Sequence, residues 1–272
     1  MNPSILIFDS GVGGLSILQE IRQRLPGADL HYLMDNAFFP YGVKADDVLV
    51  QRIVDVCSAA VADVRPDLLV VACNTASTLA LHALRNVLTV PVVGVVPAIK
   101  VAAGLTSSGH IGLLATPATV NRPYTDRLVE DFAAHCTVHR FGSAELVLWA
   151  ETFLNTGTVD AKLTPHLQRW IDQQPQMLHV VLGCTHFPLL RDALEQRWPQ
   201  IQWIDSGAAI ARRVETLLAG RGLEARHGIL NCRWTGADDG AQGALRFLQA
   251  LGTVQQASVL SVGNPIQQPS AV

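Results

Sequence analysis

Lysine is almost missing from this chain: Lys44, Lys100 and Lys162 are the only three in 272 residues. None sits in a recognisable Schiff-base setting, which sets a pyridoxal enzyme aside. Charge of either sign is sparse at 16%. The formal net charge is −3, and Lys and Arg are scattered, so the electrostatic footprint of a nucleic-acid binder is absent. Long apolar runs are lacking too. The most apolar stretch, VPVVGVVPAI at 90–99, is cut twice by proline, and nothing approaches the roughly 18 residues that a membrane span needs. The first residues, MNPSILIFDSG, lack a basic n-region and put an acid and glycines where the apolar core of a signal would run. A cytoplasmic location is the expectation, with neither membrane nor nucleic acid as partner. Paired cysteines are also lacking. The five (57, 73, 136, 184, 232) are odd in number, widely spaced and without a C-x-x-C step, so reduced thiols are expected rather than disulfides. Cys57, Cys136 and Cys232 read as small buried hydrophobes.

What the chain has in quantity is alternation. Short apolar runs of strand length are followed by amphipathic stretches of helix length: SILIF then LSILQEIRQRL, LLVVA then ASTLALHALRNVL, MLHVVLG then a helix from about Pro188. Nearly continuous apolar strands between helices mark parallel sheet covered on both faces. The fold class is α/β. Two internal echoes, FDSGVGG (8–14) with IDSGAAI (204–210) and VVACNTAS (70–77) with VVLGCTHF (180–187), suggest two pseudo-symmetric lobes. Each is a mostly parallel sheet flanked by helices, with the active site in the cleft between them. The division expected is 1–97 plus 207–256 for the N-terminal lobe with the C-terminal helices and 98–206 for the second lobe. Residues 257–272, rich in Gln, Ser and Pro, are expected to be a mobile tail.

Sites in open parallel sheets gather at the carboxyl ends of strands, where the next helix presents free N–H groups. Asp9, Ser10, Cys73, Asn74, Thr75, Cys184, Thr185 and His186 all fall at such ends. A thiol there is expected to have its pKa lowered by the helix N-terminus. Asn and Thr suit the fixing of a small polar ligand, although Thr75 and Thr185 equally suit helix caps. His186, two residues after Cys184, can exchange protons with it. Asp9 reads either as part of the site or as a cap for the GVGG turn. The glycines at 11–14 lack the third glycine of a dinucleotide fingerprint, and they read better as room for a ligand and for the opposing lobe. Asp35, after LHYLM, keeps a dinucleotide site open. Tyr41 in FFPYGVK is a turn residue whose phenol can bond a ligand. Glu151 lies on an amphipathic stretch and by default faces solvent. A zinc site from Cys73, Cys184 and His186 finds no further ligand grouping among the cysteines, and no metal is expected.

DSGVGGLS (9–16), DNAFFPYGVK (35–44), VACNTAS (71–77) and LGCTHFPLL (182–190), in this order, resemble the cofactor-independent glutamate racemases of bacterial peptidoglycan synthesis, over about residues 4–220. The resemblance implies a two-lobe α/β enzyme with no cofactor, interconverting L- and D-glutamate by two thiols on opposite faces of the substrate. It implies Cys73 and Cys184 as the catalytic pair, assisted by Asp9 and His186, with Glu151 as a further acid. Ser10, Pro40, Tyr41, Gly42, Asn74, Thr75 and Thr185 would hold the carboxylates and ammonium. His186 stands where related aspartate racemases usually carry an acid, which favours glutamate over aspartate. A homodimer and an activator of unidentified chemistry are the partners that the resemblance leaves open. A thiol hydrolase or lyase using one cysteine, and a non-catalytic amino-acid-binding module, are the alternatives.

Overall fold

The computed structural model describes residues 2–221 and 228–262. Among them are the strands β1 (Ser4–Asp9), β2 (Asp29–Met34), β3 (Leu68–Val71), β4 (Val92–Gly94), β5 (His110–Ala115), β6 (Thr137–Gly142), β7 (His179–Leu182), β8 (Gln202–Ile204), β9 (Leu230–Trp234) and β10 (Val254–Val259). They form two sheets, ordered β10-β9-β2-β1-β3-β4 and β6-β5-β7-β8, and every pairing is parallel. The reason is written in the central strands. Ile5 to Phe8 and Leu68 to Val71 are wholly buried, because alternate side chains point to opposite faces and both faces carry helices. Ile5, Ile7, Leu68 and Val70 join one core; Leu6, Phe8, Leu69 and Val71 join another.

Both sheets contain the same four-strand order, β2-β1-β3-β4 and β6-β5-β7-β8. The register makes the equivalence concrete. The Ala72 N–H donates to Phe8 O at 2.7 Å, and the Gly183 N–H donates to Leu114 O at 2.7 Å; the residue after each donor is the cysteine, 73 or 184. Likewise the Asp35 N–H donates to Asp9 O at 2.9 Å and the Ser143 N–H to Ala115 O at 2.8 Å. The halves also exchange helices. Ile99–Leu105, after β4, packs its Ile99, Ala102 and Ala103 into the core of the second sheet, whereas Gly207–Leu217, after β8, packs Ile210, Ala211 and Val214 into that of the first.

Three expectations need correction. The FDSGVGG and IDSGAAI echo does not join equivalent positions: Asp9 ends the first strand of its half, while Asp205 follows the fourth. Residues 230–234, expected among C-terminal helices, are β9, a wholly buried strand. The mobile tail does not begin at 257, because Ala257, Ser258 and Val259 pair with Cys232, Arg233 and Trp234. An edge strand exposes one long side and so needs no apolar alternation, and β10 is mostly exposed. The rest of that expected tail, from 263, lies outside the described residues.

Candidate active site

The carboxyl ends of the equivalent strands face one another across a cavity of about 230 Å³. Cys73 and Cys184 both line it, each buried and only 7% exposed. Cys73 is the N-cap of the helix Asn74–Val87, whereas Cys184 leads through Thr185 and His186 into a short 3-10 turn, Phe187–Leu190. Ser10, Pro40, Tyr41, Gly42, Asn74, Thr75, Thr185 and His186 also line the cavity, together with Phe39, Thr116, Thr119, Val147 and Leu148. The Oδ1 of Asn74 is buried with no hydrogen-bond partner. A buried carbonyl oxygen left unpaired costs free energy unless a ligand donates to it. No lysine or arginine among the described residues lines the cavity.

Around Cys73 the neighbours are acidic and hydroxylic. The Ser10 hydroxyl lies 3.8 Å from its sulfur. The Asp9 carboxylate accepts from the Gly11 N–H at 2.8 Å and from the Thr185 hydroxyl at 3.0 Å, so a residue from each half binds it. Asp9 is wholly buried, and burial raises its carboxyl to about 6, against the opposing pull of His186 and of its hydrogen bonds. The Cys73 thiol is pushed well up, first by burial and then by Asp9, and the N–H of Ala76 only partly offsets this. The expected lowering by the helix N-terminus is therefore outweighed at Cys73.

Around Cys184 the neighbours form a relay. Its sulfur lies 3.8 Å from Nδ1 of His186, whose Nε2 lies 2.9 Å from Oε1 of Glu151. Burial alone would lower the imidazole, yet hydrogen bonds to Cys184 and Glu151 outweigh it and raise His186 well above its ordinary value. The same Glu151 oxygen accepts from the Val12 N–H at 2.9 Å, so this residue is no solvated face acid.

The glycine-rich turn allows the approach. A Cβ at Gly13 would overlap the His186 imidazole and fall 2.7 Å from Oγ1 of Thr185, and one at Gly11 would overlap the Glu151 carboxylate. Neither Thr75 nor Thr185 caps a helix with its side chain. The Tyr41 ring walls the cavity, but its hydroxyl does not await a ligand. It donates to Asp35 at 2.7 Å, and Asp35 is also paired with Arg52 and bonded by Thr235. This buried network occupies the acid that a dinucleotide ribose would have used. Asp9 and Glu151 stand behind the cavity wall, reaching it through Thr185 and His186. Reasoning from the sequence passed over Thr116, although it follows β5 as Ser10 follows β1, so the strand-end rule that found Ser10 applied there equally. His135 and His139 stand at a metal-like H-x₃-H spacing but diverge, one toward Ala103 O and the other onto His110.

Comparison with known proteins decides the kinship. A family profile described as Asp/Glu/Hydantoin racemase matches residues 13–214. The chain belongs to the Asp/Glu/Hydantoin racemase family. As a member of this racemase family it is an isomerase. A glutamate racemase from Salmonella gallinarum is 49% identical over 255 residues, covering 92% of this chain and 89% of that protein. One from a Shewanella species is 52% identical over 221 residues, 80% of each chain. The crystal structure of Escherichia coli glutamate racemase, in complex with L-glutamate and the activator UDP-MurNAc-Ala, superposes with a TM-score of 0.86 at 44% identity, covering 97% of this chain and 100% of that one. Among the described residues no helix is long and apolar enough to cross a membrane.

Proposed function

We propose that this member of the racemase family interconverts L- and D-glutamate without a cofactor and so supplies D-glutamate for peptidoglycan. The observation that carries the reading is the pair of thiols, Cys73 and Cys184, delivered to one cavity by equivalent strand ends. Glutamate enters with its α-carbon between the two sulfurs. One thiolate removes the α-proton, forming an S–H bond and leaving the electron pair on the carbon and its carboxylate; the opposite thiol then gives its proton to the other face. After turnover the two sulfurs have exchanged protonation states.

The substrate's α-proton is far less acidic than a thiol, so the site must stabilise the carbanionic transition state. Ser10 and Thr75 hydroxyls and the backbone N–H of Thr185, whose hydroxyl is committed to Asp9, supply neutral donors for the two carboxylates with the first amides of the helix Asn74–Val87 and of the turn Tyr41–Val43. Each such donor contributes on the order of 3 kcal/mol in a dry site. Asn74 Oδ1 accepts from the ammonium. Pro40 and the backbone of Tyr41 and Gly42 shape the wall. The ammonium also lowers the cost of forming a thiolate in the cavity. His186, backed by Glu151, serves the proton of Cys184, and Asp9 serves that of Cys73.

Circular dichroism of L- and of D-glutamate in D₂O, under reducing conditions without added cofactor, tests the reading. Both signals should decay to zero, and the product should carry solvent deuterium at the α-carbon. Decay of aspartate signals but not of glutamate signals would move the substrate; no α-exchange with either would end the proposal. A homodimer, and a response to a nucleotide-sugar peptide such as the activator in the E. coli complex, belong to the same proposal. Sedimentation and addition of UDP-MurNAc-Ala to the assay test them.

A further inference from the structure

We infer that Arg122 is a latch, a positioning residue that pins three substrate-facing walls together from outside the cavity; the inference rests on the reading of that cavity as the glutamate site. The Arg122 Nη2 donates to Oδ1 of Asp46 at 2.9 Å, and its Nη1 donates to Oγ1 of Thr78 at 3.2 Å. Asp46 opens the helix Asp46–Val64, three residues beyond the Tyr41–Val43 turn. Thr78 lies one turn along the helix that starts at Asn74, and its hydroxyl donates onward to Thr75 O at 3.1 Å. Arg122 itself is tied through its backbone N–H to Thr119 O and belongs to the segment that carries Thr116 and Thr119. One guanidinium thus spans the walls made by 39–43, 73–75 and 116–119, the first two from the first sheet's half and the third from the second's.

Arg122 does not line the cavity, so it acts through these walls and not on the substrate. Its side chain is 14% exposed, whereas that of Asp46 is 63% exposed. The exposed ion pair alone contributes little. The planar fork, reaching a carboxylate on one element and a hydroxyl on another, supplies the geometry that an ammonium lacks. Two further cross-sheet bonds, Thr185 to Asp9 and Val12 to Glu151, run through the candidate catalytic groups, whereas those from Ser206 to Val96 and from Arg246 to Asn155 lie away from the three walls. The cavity is partly open to solvent, and the Arg122 bonds hold its three walls at the spacing that grips the substrate.

The test combines glutamate racemisation kinetics with amide hydrogen exchange on the ligand-free protein, for wild type, Arg122→Ala, Arg122→Lys and Asp46→Asn. Arg122→Ala should raise KM about tenfold, the loss expected for one hydrogen-bonded charge, while kcat changes less. It should also accelerate exchange in 39–46, 74–78 and 116–121 together. Arg122→Lys should fall between it and wild type. Asp46→Asn, a surface change, should loosen 39–46 and raise KM by a smaller factor if Arg122→Ala does not fold. Unchanged KM and exchange in Arg122→Ala, or in Asp46→Asn where that variant stands in for it, would overturn the latch, as would faster exchange confined to 116–125. Wild type that exchanges no α-hydrogen of glutamate, with the three segments still loosening together, would sink the functional reading and leave the latch standing.

Discussion

The two strand ends that present the thiols have the same topology and the same backbone hydrogen bonds, yet different chemical surroundings. Cys73 sits among a hydroxyl and a buried carboxyl, and burial with Asp9 holds its proton on. Cys184 sits against an imidazole that is itself held protonated by Cys184 and Glu151. The duplicated scaffold supplies position; the neighbours supply direction. Two like thiols facing one another would have no built-in order of proton transfer. Here burial and Asp9 hold the proton on Cys73, while a protonated His186 faces the sulfur of Cys184; on the proposed reading, the two sides are unequal before a substrate binds.

The strongest way to break this comparison is to remove one thiol. Cys73→Ala and Cys184→Ala should each lower turnover by at least about 10³-fold in both directions, the contribution of a positioned acid or base; a fully active single variant would contradict the two-thiol mechanism. Next comes the relay. His186→Asn should lower kcat by about 10². Because the two enantiomers have equal free energies in water, kcat/KM must fall equally from either side in every variant. The asymmetry between the halves must therefore be sought elsewhere, in the α-deuterium isotope effect. With His186→Asn that effect should grow more from the enantiomer whose proton goes to Cys184, and equal growth from both would show that the relay serves both thiols alike.

How much of this could be read beforehand follows from where the physics is local. The apolar runs of β1, β3, β5 and β7 and the cysteines that follow two of them were legible, because burial on both faces of a parallel sheet forces composition. The expected GVGG role was legible as well, since glycine at Gly11 and Gly13 answers a clash that any side chain would make. β9 and β10 were not. Arg233, Asn231 and Gln256 make the polar positions of those strands look like loop; β9 pairs with residues about 200 positions away, and β10 has only β9 to pair with. The commitment of the Tyr41 hydroxyl to Asp35 depends on Arg52 and Thr235, partners that proximity in sequence does not announce. The sign of the shift at Cys73 also depended on burial and on Asp9, which a helix N-terminus read in isolation leaves out.

A milder probe uses pH. Asp9 titrates near 6 in the fold, and its carboxylate accepts from Thr185 and Gly11, so kcat/KM should lose about tenfold per pH unit below that value. In Asp9→Asn the acid limb should vanish from this region, leaving a lower and flatter profile. A limb that persists unchanged in the variant would assign it to another group. The comparison would then lose its acidic side.

The smallest effect expected belongs to the Thr185 hydroxyl, the bond by which the half carrying Cys184 touches the acid beside Cys73. The sign follows from burial. A folded carboxyl that takes its proton near 6, where the ordinary value is 3.8, costs the fold stability while charged, and relieves that cost as pH falls from about 6 toward 4. Thr185→Val removes a donor to the charged form, so Asp9 should titrate still higher and the acid limb should move up in pH. Urea unfolding should show the variant less stable by about 1 to 2 kcal/mol at pH 8 and nearly equal to wild type at pH 5, where the carboxyl is mostly protonated and the bond matters less. A loss of the same size at both pH values would mean that the hydroxyl is packed rather than bonded to a charge, and that the two halves are tuned separately.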